Sequence, residues 1–295
     1  MTLSKLSKLQ EDFSAEDVEQ AWSKLIAWFK PYSEICVLVS GGIDSSLIAH
    51  VAATYKDSKR VIAVTADSAS IAREELSHVR TFIRGLQIEH RVVATDELAD
   101  PQYRANSGDR CYYCKKALYR VVDDVVATYT NAVVVDGTNA DDMSDHRPSL
   151  PASKEHGVLH PYVQLGFGKS LIREVSKFCG ISFWDKPSMA CLASRIQDGI
   201  EVSTENLQMV EQAESVLRDI GYQDFRVRYH ESGQANRLQK IARIELSKEE
   251  FNRFMQRSDA ASLVESLSKL GFHHVTLDLG GYKRGGRALR VVPSQ

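Results

Sequence analysis

Three groups of residues in this chain of 295 have the types and spacing for chemistry. The first is Ser40-Gly41-Gly42-Ile43-Asp44-Ser45-Ser46. Its glycines let an anion approach the main chain, and its serine hydroxyls add donors without bulk. The second is a set of thiols. Cys111 and Cys114 form a CxxC whose sulfurs, on one helical turn, reach the same metal or each other. Cys191 follows Pro187, with Arg195 four residues on, and a neighbouring cation raises the thiolate fraction of a cysteine. The third is Arg226 and Arg228, which alternate along FRVRYH and so share a face. Guanidinium groups suit bidentate phosphate recognition, although paired strand arginines also serve as solvated surface. Asp141 and Asp142, in DGTNADD, offer hard oxygens for Mg²⁺ or make a polar turn.

The elements around these residues say where they sit. Ile35 to Val39 is an apolar, β-branched run suited to a strand buried on both faces, and a helical pattern opens at Asp44. A strand that turns through glycines into a helix presents free N–H groups at one point, and the helix dipole adds to their attraction for an anion. A helix is expected over Ala15–Phe29, stopped by Pro31, with strands over Arg60–Asp67, Glu89–Thr95 and Ala132–Asp136 and helices between them. Such alternation means a parallel sheet, in which ligands bind beyond the carboxyl ends of the strands. The glycine loop and DGTNADD are therefore expected in one crevice. Asp96 to Asp109 reads as irregular, as does the stretch from DGTNADD to a helix at Ser170–Cys179.

After Gly199 the pattern changes to helix, two strands, helical segments and a strand. This is an α+β unit of ferredoxin-like kind. The reading is of an N-terminal α/β domain over 1–200 and a smaller C-terminal α+β domain over 201–295 for substrate binding or oligomerisation.

The cysteines leave disulfide redox, zinc and iron–sulfur ligation open. A closed zinc site takes four ligands, and only Cys191 adds to the CxxC, whereas three thiolates suit a cubane cluster with one open iron. Cys36, in mid-strand, and Cys179, on an apolar helix face, read as packing. Hydrophobic content of 43% and charged content of 26% describe an ordinary globular chain. With 37 Lys plus Arg against 39 Asp plus Glu, the net charge of −2 does not call for a nucleic-acid or membrane partner. No apolar run is long enough to span a bilayer and the first residues lack a signal-peptide core, so a cytoplasmic protein is expected.

SGGIDSS is neither a Walker P-loop, which needs a Lys before its Ser or Thr, nor a GxGxxG fingerprint. It resembles the SGGxDS loop of the PP-loop ATP pyrophosphatases, the adenine nucleotide alpha hydrolase-like fold that cleaves ATP to AMP and pyrophosphate. RCYYCKK, KPSMACLASRI, FRVRYH, KIARIEL and VTLDLGG follow it in that order. Together they resemble the LarE family, ATP-dependent sulfurtransferases of nickel-pincer nucleotide cofactor synthesis for lactate racemase.

The resemblance implies adenylation of a pyridinium carboxylate mononucleotide and its conversion to a thiocarboxylate, with Ser40, Gly41, Gly42, Asp44, Ser45 and Ser46 binding ATP and pyrophosphate. It places Arg195, Glu214, Arg226 and Arg228 near the reacting thiol and the nucleotide, and it implies a homo-oligomer, of which a hexamer is one form. In the sacrificial form of the family a cysteine matching Cys191 surrenders its own sulfur and becomes dehydroalanine. The additional Cys111 and Cys114 resemble the branch in which three cysteines hold a [4Fe–4S] cluster. Three rivals remain: a PP-loop tRNA thiolation enzyme, which needs a basic RNA-binding surface, an ammonia-using amidotransferase domain of the NAD- or GMP-synthetase type, whose chemistry needs neither the CxxC nor Cys191, and a nucleotide-sensing module that binds ATP without cleaving it.

Overall fold

The structure is a computed structural model, and it describes residues 13–143, 148–187, 190–233 and 237–282. Ser188 and Met189 of the KPSMAC motif and the polar stretch over residues 1–12 lie outside these. In chain order the elements are α1 Ala15–Phe29, β1 Glu34–Leu38, α2 Ile43–Ala53, β2 Arg60–Asp67, α3 Arg73–Leu86, β3 Glu89–Ala94, α4 Pro101–Arg104 and α5 Arg110–Val126. There follow β4 Ala132–Val135, α6 Ser149–Glu155, α7 Pro161–Leu165, α8 Lys169–Phe178, α9 Thr204–Asp219, β5 Phe225–Ser232, β6 Gln239–Leu246, α10 Lys248–Gln256, α11 Ala260–Lys269 and β7 His274–Leu277.

The described residues divide into two compact units that are interleaved along the chain. The first draws on Met1–Asp67, Arg73–Thr95 and Lys115–Met189, and the second on Ser68–Ala72, Asp96–Cys114 and Ala190–Gln295.

The first unit is built on a parallel sheet of order β3-β2-β1-β4. This is the α/β sheet expected from the alternating strands and helices. β1 is buried from Ile35 to Leu38, as a strand covered on both faces must be. α2 is buried almost all round, from Leu47 and Ile48 to Val51 and Ala52, because it lies among α1, α8 and the sheet. α1 starts at a reciprocal cap: Ser14 Oγ accepts from the Asp17 amide at 3.1 Å and Asp17 accepts from the Ser14 amide at 2.9 Å. The stretch expected as one loop after DGTNADD holds the short helices α6 and α7, each too brief for a periodic pattern to show.

The second unit carries a three-stranded sheet of order β5-β6-β7, with β5 antiparallel and β7 parallel to β6. Val227 and Tyr229 of β5 point into an apolar core with Leu207, Val210 and Leu217 of α9. Arg226 and Arg228, one residue out of phase, take the other face, across from Glu245 and Arg243 of β6. The stretch expected as irregular before the CxxC contains α4 and a single 3-10 turn at Glu97–Ala99.

Candidate functional site

The glycine loop connects β1 to α2, and the strand order reverses beside it, between β1 and β4. That is where an open α/β sheet leaves a crevice for a ligand. Gly42 is the N-cap of α2 and makes no side-chain capping bond, so the first N–H groups of the helix are not taken up by a cap. Within the loop the Ser40 amide donates to Ser45 Oγ at 3.2 Å, and Ser45 Oγ lies 3.1 Å from the Gly42 carbonyl to which it donates. Gly41 has φ +86°, and a β-carbon there would fall 2.7 Å from Val79 Cγ2 of α3. Only glycine meets both demands.

DGTNADD lies against this loop, as the shared crevice requires. A β-carbon on Gly137 would sit 2.6 Å from the Ser45 nitrogen and 2.8 Å from the Asp44 carbonyl carbon. Asp136 accepts from the Thr138 amide at 3.0 Å and pairs with His160 Nδ1 at 2.7 Å. Burial works against its charge, but the His160 bond, nearby Lys115 and the Thr138 amide hold its carboxyl at about 2. Asp141 accepts from the Lys169 amide at 2.7 Å and Asp142 from the Asn139 amide at 3.1 Å, so both carboxylates help to fold the loop.

Sequence reasoning missed Lys169, whose Nζ lies 2.5 Å from Asp44 Oδ2, and Tyr162, whose hydroxyl donates to the Asp44 carbonyl at 2.9 Å. Asp44 Oδ1 and Ser46 Oγ are buried and have no hydrogen-bond partner. Orphaned polar atoms at a helix amino terminus are what a phosphate group and its metal would satisfy. Among the described residues no three His, Cys, Asp or Glu side chains converge as an ion site. A Mg²⁺ here would therefore take most of its oxygens from phosphate and water, its usual habit beside nucleotides.

The thiols and arginines belong to the second unit. Cys111 and Cys114 occupy the first turns of α5, and Cys191 precedes a 3-10 turn at Leu192–Arg195. Cys111 and Cys191 are exposed and Cys114 is half-buried. By contrast, burial pushes the thiols of Cys36 and Cys179 up to about 12, which fits packing. Tyr103 is 1% exposed, and its hydroxyl meets Ser70 Oγ, while the Ser70 carbonyl accepts from the Leu192 amide at 2.8 Å. Burial above all, then the thiols of Cys114 and Cys191, push the Tyr103 phenol well above its ordinary value, so both sulfurs lie within its electrostatic reach. All three thiols belong to this unit, and three thiolates are too few for a closed zinc site but would suit a cubane cluster with one open iron.

Arg195 is buried against Glu214, Nε to Oε1 at 2.9 Å. Its Nη1 donates to the carbonyls of Ala190 and Cys191, so it fixes the main chain beneath the thiol. Glu214 also accepts from the Val227 amide at 3.2 Å. Arg228 joins Glu245 at 3.1 Å and donates to the Ser194 carbonyl at 2.8 Å. Arg226 differs. It is 8% exposed, forms no hydrogen bond or ion pair among the described residues, and lies 4.5 Å above the Tyr282 ring. Burial, with Arg195 and Arg228 nearby, lowers its affinity for a proton. A buried cation without a carboxylate costs several kcal/mol, and an anionic ligand would offset that cost.

A parallel sheet with a glycine loop at its switch point, orphaned polar atoms at the helix that follows, and a Lys beside them define an ATP-using α/β protein of the PP-loop kind. The asparagine synthase family model matches residues 32–127. The chain is 37% identical over 268 residues to an uncharacterized protein of Synechocystis, covering 91% of this chain and 97% of that protein. It is 32% identical over 261 residues to the pyridinium-3,5-bisthiocarboxylic acid mononucleotide synthase of Lactiplantibacillus plantarum, covering 88% and 91%. An uncharacterized protein of Methanocaldococcus jannaschii is 26% identical over 250 residues, 85% of this chain and 91% of that protein. This chain belongs to the LarE family, that of the Lactiplantibacillus synthase, and is an enzyme, a sulfurtransferase that uses ATP. Among the described residues no helix is long and apolar enough to cross a membrane.

Proposed function

We propose that this enzyme adenylates the carboxylate of a pyridinium mononucleotide and replaces the AMP with sulfur, giving a thiocarboxylate on the way to a nickel-pincer nucleotide cofactor. The observation that carries the reading is Arg226, a buried guanidinium that makes no ion pair among the described residues, with Arg195 and Arg228 nearby in the unit that holds the three thiols. Such a group is complementary to the phosphate of a mononucleotide. Kinship with the Lactiplantibacillus synthase, whose name specifies this product, supports it.

A carboxylate is a poor electrophile, because its charge repels nucleophiles and oxide is a poor leaving group. Transfer of AMP from ATP makes a mixed anhydride and releases pyrophosphate. Ser40, Gly41, Gly42, Asp44, Ser45 and Ser46 bind the phosphates, and the α2 dipole offsets charge that develops on the departing pyrophosphate. Asp141 and Asp142 would hold Mg²⁺ with the phosphate oxygens. Sulfur then attacks the acyl carbon, AMP leaves with the electron pair of the broken C–O bond, and the C–S bond forms. Cys111, Cys114 and Cys191 would hold a [4Fe–4S] cluster, which would supply a sulfide nucleophile, replaced from an external sulfide source after each turnover, so that the protein would not be consumed. Arg195 keeps the main chain at Cys191 in place, and Glu214 holds Arg195.

Pyrophosphate release tests the reading. It should depend on ATP together with a nicotinate-derived mononucleotide or dinucleotide. Release that depends instead on bulk tRNA would make this a tRNA thiolation enzyme, and ATP binding without any release would make it a nucleotide sensor.

A further inference from the structure

We propose that Lys186 is a phosphate-binding residue of the glycine loop, held by Glu75 until a nucleotide arrives. The inference rests on the ATP-cleaving role of that loop and adds a residue to it.

Lys186 Nζ lies 2.7 Å from Glu75 Oε2, and both side chains are about four-fifths buried, at 19% and 18% exposure. Glu75 stands in the first turn of α3 and reaches back to the loop: its Oε2 would be 3.5 Å from a β-carbon on Gly41. Glu75 thus stands beside the glycine whose left-handed backbone shapes the loop, and the ammonium stands beside Glu75. The Lys186 main chain is fixed around it. Its carbonyl accepts from Arg173 Nη2 at 3.4 Å. Three residues earlier, Phe183 packs edge-on against His78 at 4.5 Å and Phe82 at 5.2 Å.

Charge explains why the pair is built this way. Asp44, in the loop, and Glu75, beside Gly41, are each paired with one lysine, Lys169 and Lys186. An incoming polyphosphate attracts both ammonium groups, and its several negative charges compete with a single carboxylate for each. The four-carbon stem lets Lys186 Nζ leave Glu75 and meet a phosphate oxygen while its main chain stays fixed. Glu75 is left in the first turn of a helix, where the dipole favours a negative charge.

The test is calorimetric titration of the full-length protein with inorganic pyrophosphate and with Mg-ATP, alongside pyrophosphate release by the wild type. Loss of a charged hydrogen bond predicts that Lys186→Met weakens pyrophosphate binding about 10- to 100-fold. Lys186→Arg should stay within a few-fold of wild type, and Glu75→Gln, which frees the ammonium, should tighten pyrophosphate binding. Wild-type affinity in Lys186→Met, or no tightening in Glu75→Gln, overturns the proposal even if the wild type still releases pyrophosphate. A wild type that neither binds nor releases pyrophosphate overturns the ATP-cleaving reading and this proposal with it. Thermal melts of each variant separate misfolding from lost binding, and Lys186→Arg and Glu75→Gln decide the matter if Lys186→Met does not fold.

Discussion

Gly137 of the DGTNADD loop lies so close to Ser45 of the glycine loop that the two cannot be separated by even one methyl group: a β-carbon on Gly137 would fall 2.6 Å from the Ser45 nitrogen. Both neighbours there are main chain, which cannot rotate away. Gly137→Ala should therefore displace the amino end of α2, destabilise the fold by about 1–3 kcal/mol, and weaken ATP binding more than the loss of stability explains. A thermal melt read beside an ATP titration checks this, and unchanged ATP affinity would contradict it.

Arg226 predicts opposite effects on binding and on stability. Replacing it with Met removes a buried cation that has no counter-charge, so the folded protein should hold or gain stability. Affinity for the pyridinium nucleotide should fall about 10- to 100-fold, with ATP affinity unchanged. Equal losses for both ligands, measured by titration, would argue against the assignment.

The Arg195–Glu214 pair should behave the other way. Breaking a buried pair leaves one charge uncompensated, which costs about 3–5 kcal/mol. Glu214→Ala should show that loss in urea unfolding, and the double change Arg195→Met with Glu214→Leu should recover much of it. Turnover should not return with stability, because the double variant lacks the guanidinium that fixes the Cys191 carbonyl.

His230 ties this same region to pH. Its Nε2 accepts from Arg243 at 3.0 Å and its Nδ1 meets Gln197 Oε1 at 2.6 Å, so the ring is held neutral. Burial first, then Arg243 and Arg228, push its pKa down to about 4 from 6.5. The unfolded chain then binds a proton that the folded chain refuses, so stability rises with pH in this window. The contribution should be complete above pH 6.5 and lost as pH falls to about 4. Unfolding free energies across that range should lose this slope in His230→Gln; an unchanged slope would sink the assignment.

The sulfur source is open to direct measurement. Anaerobic reconstitution should load one [4Fe–4S] cluster per chain, and Cys111→Ser, Cys114→Ser and Cys191→Ser should each reduce iron and acid-labile sulfide. Absence of both from the wild type, with Cys191 converted to dehydroalanine after turnover, would sink the cluster and make this thiol a single-use donor.

Much of the first unit could be read along the chain because its physics is local. A strand covered on both faces must be apolar where it is covered, and β1 from Ile35 to Leu38 and β2 from Val61 to Val64 are. The glycine loop announces itself because only glycine suits a left-handed backbone packed against a neighbouring helix. What stayed hidden depends on contacts across long sequence separations. Lys169 and Asp44 are 125 residues apart, Lys186 and Glu75 are 111 apart, and no local pattern joins either pair. Tyr103 sits in a polar, proline-containing stretch that reads as irregular, yet it is fully buried because α4 turns its ring inward. Arg226 was visible as one of an alternating pair. That it makes no ion pair among the described residues, because Arg228 and Arg243 take the Glu245 carboxylate that stands across from it, could be seen only once β6 was placed beside it.

The interleaving of the two units has a consequence for biosynthesis. The second unit is assembled from 68–72, 96–114 and 190–295, so its earliest pieces leave the ribosome many residues ahead of its last. Cys111 and Cys114 must wait, without the surroundings that will enclose them, until the carboxyl-terminal stretch has been translated. A polypeptide truncated before residue 190 would carry the nucleotide loop and two of the three thiols, but not the framework that gives those thiols a purpose.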